Sequence, residues 1–305
     1  PVLISGFGQY FFNWTGPFEI FDGLIIWYQK PIEYPAGLSG LFSNQNYAGS
    51  WLNLVWPFCI ALALEKTRTL LKKTFSISFL ISIGFAIFLT NSRNAWSGLL
   101  ISLPLVVGYD SLFWLLPVIV VLFITIFYTI SELLTGEIQD LFREIIPERM
   151  WMEFSQEGFE NIDASRFEIM KSAIKISFLR PIIGIGAASF TAIYALETNF
   201  WKGHSHNLIL ELAISYGYPV TIIFVSTIIL ILYSSGRTIF LNKTISKEEN
   251  FFDRAWWSAL FFFSISQLAD IQYFDGKISL VAWLLLSGLK NIINEKIDNK
   301  IIIKK

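Results

Sequence analysis

Apolar residues fill five long stretches of the chain without a single charge among them: 48–64, 74–92, 94–109, 111–131 and 212–236. A helix rising about 1.5 Å per residue needs roughly 20 apolar residues to cross the hydrocarbon core, and these stretches meet or approach that length. Two shorter ones, 255–269 and 278–289, complete the pattern as spans whose ends run into flanking residues. The predicted fold class is all-α, a polytopic membrane helical bundle of about seven spans with one large loop. Its divisions are an N-terminal segment 1–47, four spans in 48–131, the loop 132–206, three spans in 207–289 and a tail 290–305. Within the loop, Phe167, Met170, Ile174 and Phe178 recur at helical spacing, with Glu168, Lys171 and Lys175 on another side. That spacing predicts an amphipathic helix over 165–178, ended by Arg180-Pro181.

Charge gives the bundle a direction. Thirteen of the 23 basic residues fall in three segments: Lys66, Arg68, Lys72 and Lys73; Arg237, Lys243, Lys247 and Arg254; and Lys290, Lys296, Lys300, Lys304 and Lys305. With seven spans these segments share one side, which the positive-inside rule assigns to the cytoplasm. The opposite, external side receives 1–47, the 91–93 turn, the long loop and 271–277. The loop's own basic residues do not conflict with this, because long loops escape the charge rule.

Composition narrows the class. The chain has 305 residues, 54% hydrophobic and 17% aromatic with 15% charged, which excludes a disordered protein and argues against a water-soluble domain. A net charge of −1 gives no electrostatic reason to expect nucleic acid as a partner. Cys59 alone cannot close an intrachain disulfide. No basic and apolar leader precedes the first span, and Pro1 suggests a truncated start.

Candidate chemistry gathers on the external side. Arg93 sits between two apolar spans with barely any loop, where an arginine is costly unless it has a role or snorkels to the interface. His206-Asn207 lies where the long loop meets the fifth span, and an imidazole there can take or give a proton or, with Asn207, cap the helix. His204 is two residues away, but two histidines at that spacing with no nearby cysteine or carboxylate are a poor match for zinc, so neither a metal nor a cofactor is expected. Arg166 lies on the amphipathic helix as a solvated charge or a ligand. Gly184 and Gly186, in Pro181-Ile182-Ile183-Gly184-Ile185-Gly186, either turn the chain or bring backbone amides to an anion. Asn44 and Asn46 open the first span and can cap it or bind a polar ligand. Two arginines beside a histidine suit a diphosphate, since guanidinium forks match phosphate oxygens and the imidazole can serve an incoming hydroxyl.

These residues also resemble a family. Gly40-Leu41-Phe42-Ser43-Asn44-Gln45-Asn46-Tyr47-Ala48-Gly49, Thr90-Asn91-Ser92-Arg93, Arg166 followed by Pro181-Ile182-Ile183-Gly184-Ile185-Gly186, and Ser205-His206-Asn207 with Gly217 look like the ordered signature of the O-antigen ligase and polymerase superfamily, similar to C-type glycosyltransferases. The 11–14 and 25–28 stretches resemble cyanobacterial members. The resemblance implies a multi-pass protein of the bacterial inner membrane with its active site facing the periplasm. It implies transfer of a glycan from an undecaprenyl-diphosphate carrier to a sugar hydroxyl of a lipid-linked or glycan acceptor, without a metal and with inversion, as ligase or polymerase in lipopolysaccharide or polysaccharide biosynthesis. The family's two essential arginines and loop histidine carry over onto Arg93, Arg166 and His206, with His204 auxiliary. Family members usually have ten or more spans, so an N-terminal bundle is expected to be missing. Since the superfamily includes proteins once proposed as bicarbonate transporters, transport of a small anion is the alternative. It would need a polar pathway through the bilayer, where only isolated groups such as Asn53 and Glu211 occur.

Overall fold

A computed structural model describes residues 1–33, 36–66, 69–130, 137–145, 166–241 and 250–303. It is a helical membrane bundle: α1 (Val2–Phe12), a small antiparallel hairpin β1 (Phe18–Ile20) and β2 (Ile25–Trp27), α2 (Gln45–Leu64), α3 (Leu70–Leu89), α4 (Arg93–Val107), α5 (Leu112–Ile130), α6 (Glu137–Ile145), α7 (Arg166–Ser177), α8 (Ser189–Thr198), α9 (Leu208–Tyr216), α10 (Tyr218–Phe240), α11 (Phe251–Ser266) and α12 (Gly276–Ile303). Among the described residues, five helices are long and apolar enough to cross a membrane: Gln45–Leu64, Leu70–Leu89, Tyr109–Ile130, Tyr218–Phe240 and Gly276–Glu295. The two shorter ones, α4 and α11, have 15 and 16 residues and pack with α2 at the centre of the bundle.

Small residues set these central crossings. A methyl added at Gly49 would lie 2.6 Å from Ala95 Cβ, and one at Gly98 would lie 2.5 Å from the Asn53 amide. Such close approach suits helices in lipid, where packing and interhelical hydrogen bonds replace the hydrophobic drive. Asn53 Nδ2 donates across the contact to the Ala95 carbonyl at 3.1 Å. The helices alternate in direction as the charge pattern requires. Arg254 at the start of α11 reaches the Val106 carbonyl at the end of α4, whereas Asp270 beyond the end of α11 meets Asn46 at the start of α2.

Three elements differ from expectation. The apolar run 212–236 is not one helix: Gly217 at φ +81° breaks it into α9 and α10, and Pro219 starts the second. A side chain at Gly217 would lie 2.2 Å from the Ile182 carbonyl oxygen, so the break is also a docking point for the 181–184 turn. The last helix does not stop near 289; with no proline to end it, α12 runs through the tail to Ile303. The helix predicted over 165–178 is present as α7, but it buries Ile169, Ala173 and Ile176 and leaves Phe167, Ile174 and Phe178 exposed.

The 37–46 segment, which delivers Asn44 and Asn46, is fixed from two sides. Leu38 N–H donates to the Leu89 carbonyl at 2.8 Å, and Gln45 accepts from Gly37 N–H. From α1, the buried Gln9 amide oxygen accepts from Ser39 and Gly40 N–H at 2.9 and 2.7 Å, while its Nε2 donates to Ser39 Oγ and the Lys30 carbonyl. An unsatisfied buried donor costs about 1–3 kcal/mol, so Gln9→Leu strands two amides and is expected to lower stability by about 2 kcal/mol or more. Thermal unfolding in detergent measures this; an unchanged midpoint would show that the contact carries no stability.

Candidate active site

The candidate site is built on a tight turn at the start of α9. Asn207 caps that helix, its side-chain oxygen accepting from Leu210 N–H at 3.1 Å. Just before the cap, His206 takes a left-handed backbone conformation, φ +56°, which costs a non-glycine residue on the order of 1–3 kcal/mol. The turn is held against that cost. Ser205, fully buried, donates its N–H to the buried carboxylate of Glu211 at 2.9 Å and its hydroxyl to the Asn207 carbonyl at 3.0 Å. His206 N–H donates to His204 Nδ1 at 3.2 Å, and the two rings meet edge to face with centroids 4.4 Å apart.

A second turn, between α11 and α12, supplies the partner that sequence reading missed. Asp270 is 5% exposed; its Oδ1 lies 2.8 Å from His206 Nδ1 and 3.7 Å from His204 Nε2, and its Oδ2 accepts from Asn46 Nδ2 at 2.9 Å. Gln267 shapes this turn, its Oε1 accepting from Gln272 and Tyr273 N–H at 2.9 and 3.0 Å. The two turns are tied directly: Leu208 N–H donates to the Gln267 carbonyl and Asn207 Nδ2 to that of Leu268, at 2.9 and 3.1 Å. His206 and Asp270 thus meet on braced backbone, 64 residues apart in the chain.

Electrostatics define the protonation pattern. Burial alone raises the Asp270 pKa, but the hydrogen bond to His206 and the charges of His206, His204 and Arg166 outweigh it and hold the carboxyl below the usual carboxylate range. An ionised Asp270 only accepts, so His206 Nδ1 carries the proton and Nε2 keeps a free lone pair when the ring is neutral. Burial, then the charges of His206 and Arg166, push His204 below the ordinary histidine value against the pull of Asp270. A neutral His204 fits its Nδ1 accepting from His206. Because the folded state disfavours its proton, the contribution of His204 is present above about pH 6.5 and is lost as pH falls toward the folded value.

The arginines approach from two other elements. Arg166 opens α7 and is exposed, and its charge bears on both His204 and Asp270. Arg93 is the first residue of α4, behind the cap Ser92 and the left-handed Asn91. Thr90 and Ser92 pack on Gly49, one helical turn from Asn46, so Arg93 stands at the same end of the bundle as Asp270.

Residues 77–225 match the family described as O-antigen ligase (Wzy_C), and the match includes Arg93, Arg166 and His206. Over those residues the chain is similar to the O-antigen ligase family. No curated protein and no solved structure matches the chain. That match supports an enzyme of the O-antigen ligase or polymerase kind, a membrane glycosyltransferase.

The remaining expected residues mostly have local roles. Asn44 caps α2, accepting from Asn46 N–H at 2.7 Å, and only Asn46 reaches the histidine cluster. The amides of Gly184 and Gly186 donate to the carbonyls of Arg180 and Ser215, and that of Ile185 to Ile214, so they hold α9 in place. His204, His206 and Asp270 each offer a ligand atom, all within 4.8 Å of one another. Asp270 is therefore the carboxylate partner that the histidine spacing lacked, and the three could hold a divalent cation. Both Asp270 oxygens already accept hydrogen bonds, and a cation on Asp270 and His206 Nδ1 would compete with the bond between them.

Proposed function

We propose that this protein transfers a glycan from an undecaprenyl-diphosphate carrier to a sugar hydroxyl of a glycan or lipid-linked acceptor, on the periplasmic side of the bacterial inner membrane. The observation that carries the reading is the His206–Asp270 hydrogen bond beside Arg166, because it combines a proton acceptor with a cation in one place. In the proposed step the acceptor O–H gives its proton to His206 Nε2 as its oxygen forms a bond to the anomeric carbon. The bond from that carbon to the diphosphate breaks, its electron pair stays on the phosphate oxygen, and undecaprenyl diphosphate leaves. Direct attack inverts the anomeric configuration. Arg93 and Arg166 bind the diphosphate and stabilise the charge that grows on it, while Asp270 orients His206 and favours its protonated form. The arginines supply the neutralisation that a metal would otherwise provide.

A strain lacking the gene should accumulate lipid-linked glycan and lose its surface glycan ladder. The wild-type gene is expected to restore the ladder, and Arg93→Ala, Arg166→Ala and His206→Ala variants at matched expression are not. Normal ladders from all three variants would sink the assignment, and lost solute uptake with unchanged glycans would favour transport. Transfer by purified membranes is expected to survive EDTA; loss with EDTA and recovery with zinc would place a metal on His204, His206 and Asp270.

A further inference from the structure

Helix α7 carries two apolar faces; among the described residues one packs into the protein and the other stays largely exposed. Ile169, Ala173 and Ile176 pack against Phe190, Tyr194 and Ile214. The other face, with the turn that follows it, presents Phe167, Ile174, Phe178, Leu179, Ile182 and Ile183, between 47 and 77% exposed. Six large apolar side chains in one region are far more than a water-facing surface ordinarily gathers. Lys171, Lys175 and Arg180 are exposed along the same segment.

What covers this face is indicated by its neighbour. The Phe178 ring lies 5.7 Å from that of Tyr218, the first residue of α10, and Ser177 Oγ is 2.8 Å from the Tyr218 hydroxyl. Tyr218 N–H donates to the Pro181 carbonyl at 2.7 Å, which seats the 178–183 turn on the end of α10. That helix is a membrane span with little of its surface buried in protein, and Val220, Ile222 and Ile223 begin its lipid-facing band. The apolar face of α7 and its turn continues this band past the end of the span. Tyrosines are enriched at this interfacial level, and basic side chains whose stems lie on apolar surface while their heads reach the phosphates are the usual rim of a helix lying in it.

We propose that the outer face of α7 and the 178–183 turn form a lipid-docking element lying in the external interface of the bilayer, with Ile182 and Ile183 entering the acyl region and Lys171, Lys175 and Arg180 at the phosphate level. Its inner face meanwhile holds the α8 and α9 packing. A helix of 12 residues is about 18 Å long, and Arg166 stands at its other end. Docking of one end therefore fixes the height of Arg166 above the lipid.

Site-directed spin labelling of the full chain in vesicles of phosphatidylethanolamine and phosphatidylglycerol tests this. Nitroxides are placed at Phe178→Cys, Ile182→Cys and Ile183→Cys in a Cys59→Ala background, with Ile222→Cys as the lipid reference and Glu197→Cys as the water reference. Because Cys59 is itself buried, the unaltered background serves if that variant is unstable. The ratio of oxygen to water-soluble nickel chelate accessibility at 182 and 183 is expected to match Ile222, with 178 between the references. A ratio matching Glu197, or exclusion of both reagents as under a protein cover, overturns the proposal.

Discussion

Replacing His206 with alanine is expected to slow glycan transfer about 10²- to 10⁴-fold, the usual worth of a positioned proton acceptor. The basis is geometric: Nδ1 is committed to Asp270 at 2.8 Å, so the base is Nε2, and the braced turns at 205–211 and 267–273 hold it there. Asp270→Asn is expected to cost nearly as much although the substitution is almost isosteric. Asp270 accepts from two donors, Asn46 Nδ2 and His206 Nδ1. An asparagine has one oxygen to offer, and turning it toward Asn46 leaves its NH₂ facing His206, which moves the ring proton to Nε2 and removes the base. Since the two residues act as a unit, the double variant His206→Ala/Asp270→Ala is expected to be little slower than His206→Ala alone. Rates with purified lipid-linked donor at matched protein levels measure this. Strictly multiplicative losses would separate Asp270 from the chemistry and leave it a role in folding the turn.

Much of the bundle was legible because a bilayer imposes one simple demand, a charge-free run long enough to cross it. The break at Gly217 was harder to see, since 212–236 is uniformly apolar and the signal is only Gly217 followed by Pro219; the reason for the break, the close carbonyl of Ile182, comes from a turn 35 residues earlier. Sequence periodicity found α7 and the apolar row of Phe167, Ile174 and Phe178, but not the row of Ile169, Ala173 and Ile176 that packs on protein. Both of its faces are apolar, and the pattern of one helix cannot say which meets protein and which does not. Arg93, Arg166 and His206 could be singled out one at a time, because a charge or an imidazole beside a span stands out against hydrocarbon. Asp270 was in view too, one of two carboxylates, with Asp275, in the short segment between the last two spans. Its importance depends on pairing with a histidine 64 residues away, which only the packing of α11 against α2 and α4 brings about. Gly184 and Gly186 suggested an anion cradle, whereas their amides are used on the protein's own carbonyls.

Both arginines are assigned to the diphosphate. Arg93→Ala and Arg166→Ala are each expected to reduce transfer about 10²- to 10³-fold, the cost of removing one donor aimed at developing charge. Lysine keeps the charge but not the planar fork, so Arg93→Lys and Arg166→Lys are expected to recover only part of the rate. Arg166 has a further test in pH. The charge of Arg166 helps to hold both Asp270 and His204 below their ordinary values. Without Arg166 both groups bind protons more readily, so the acid side of the rate profile moves to higher pH. Transfer rates across pH for the two variants, at saturating and at low donor, decide the point. An Arg166→Ala profile that falls in height without moving would mean that Arg166 acts on the diphosphate alone, and loss below about threefold in either variant would remove that residue from the site.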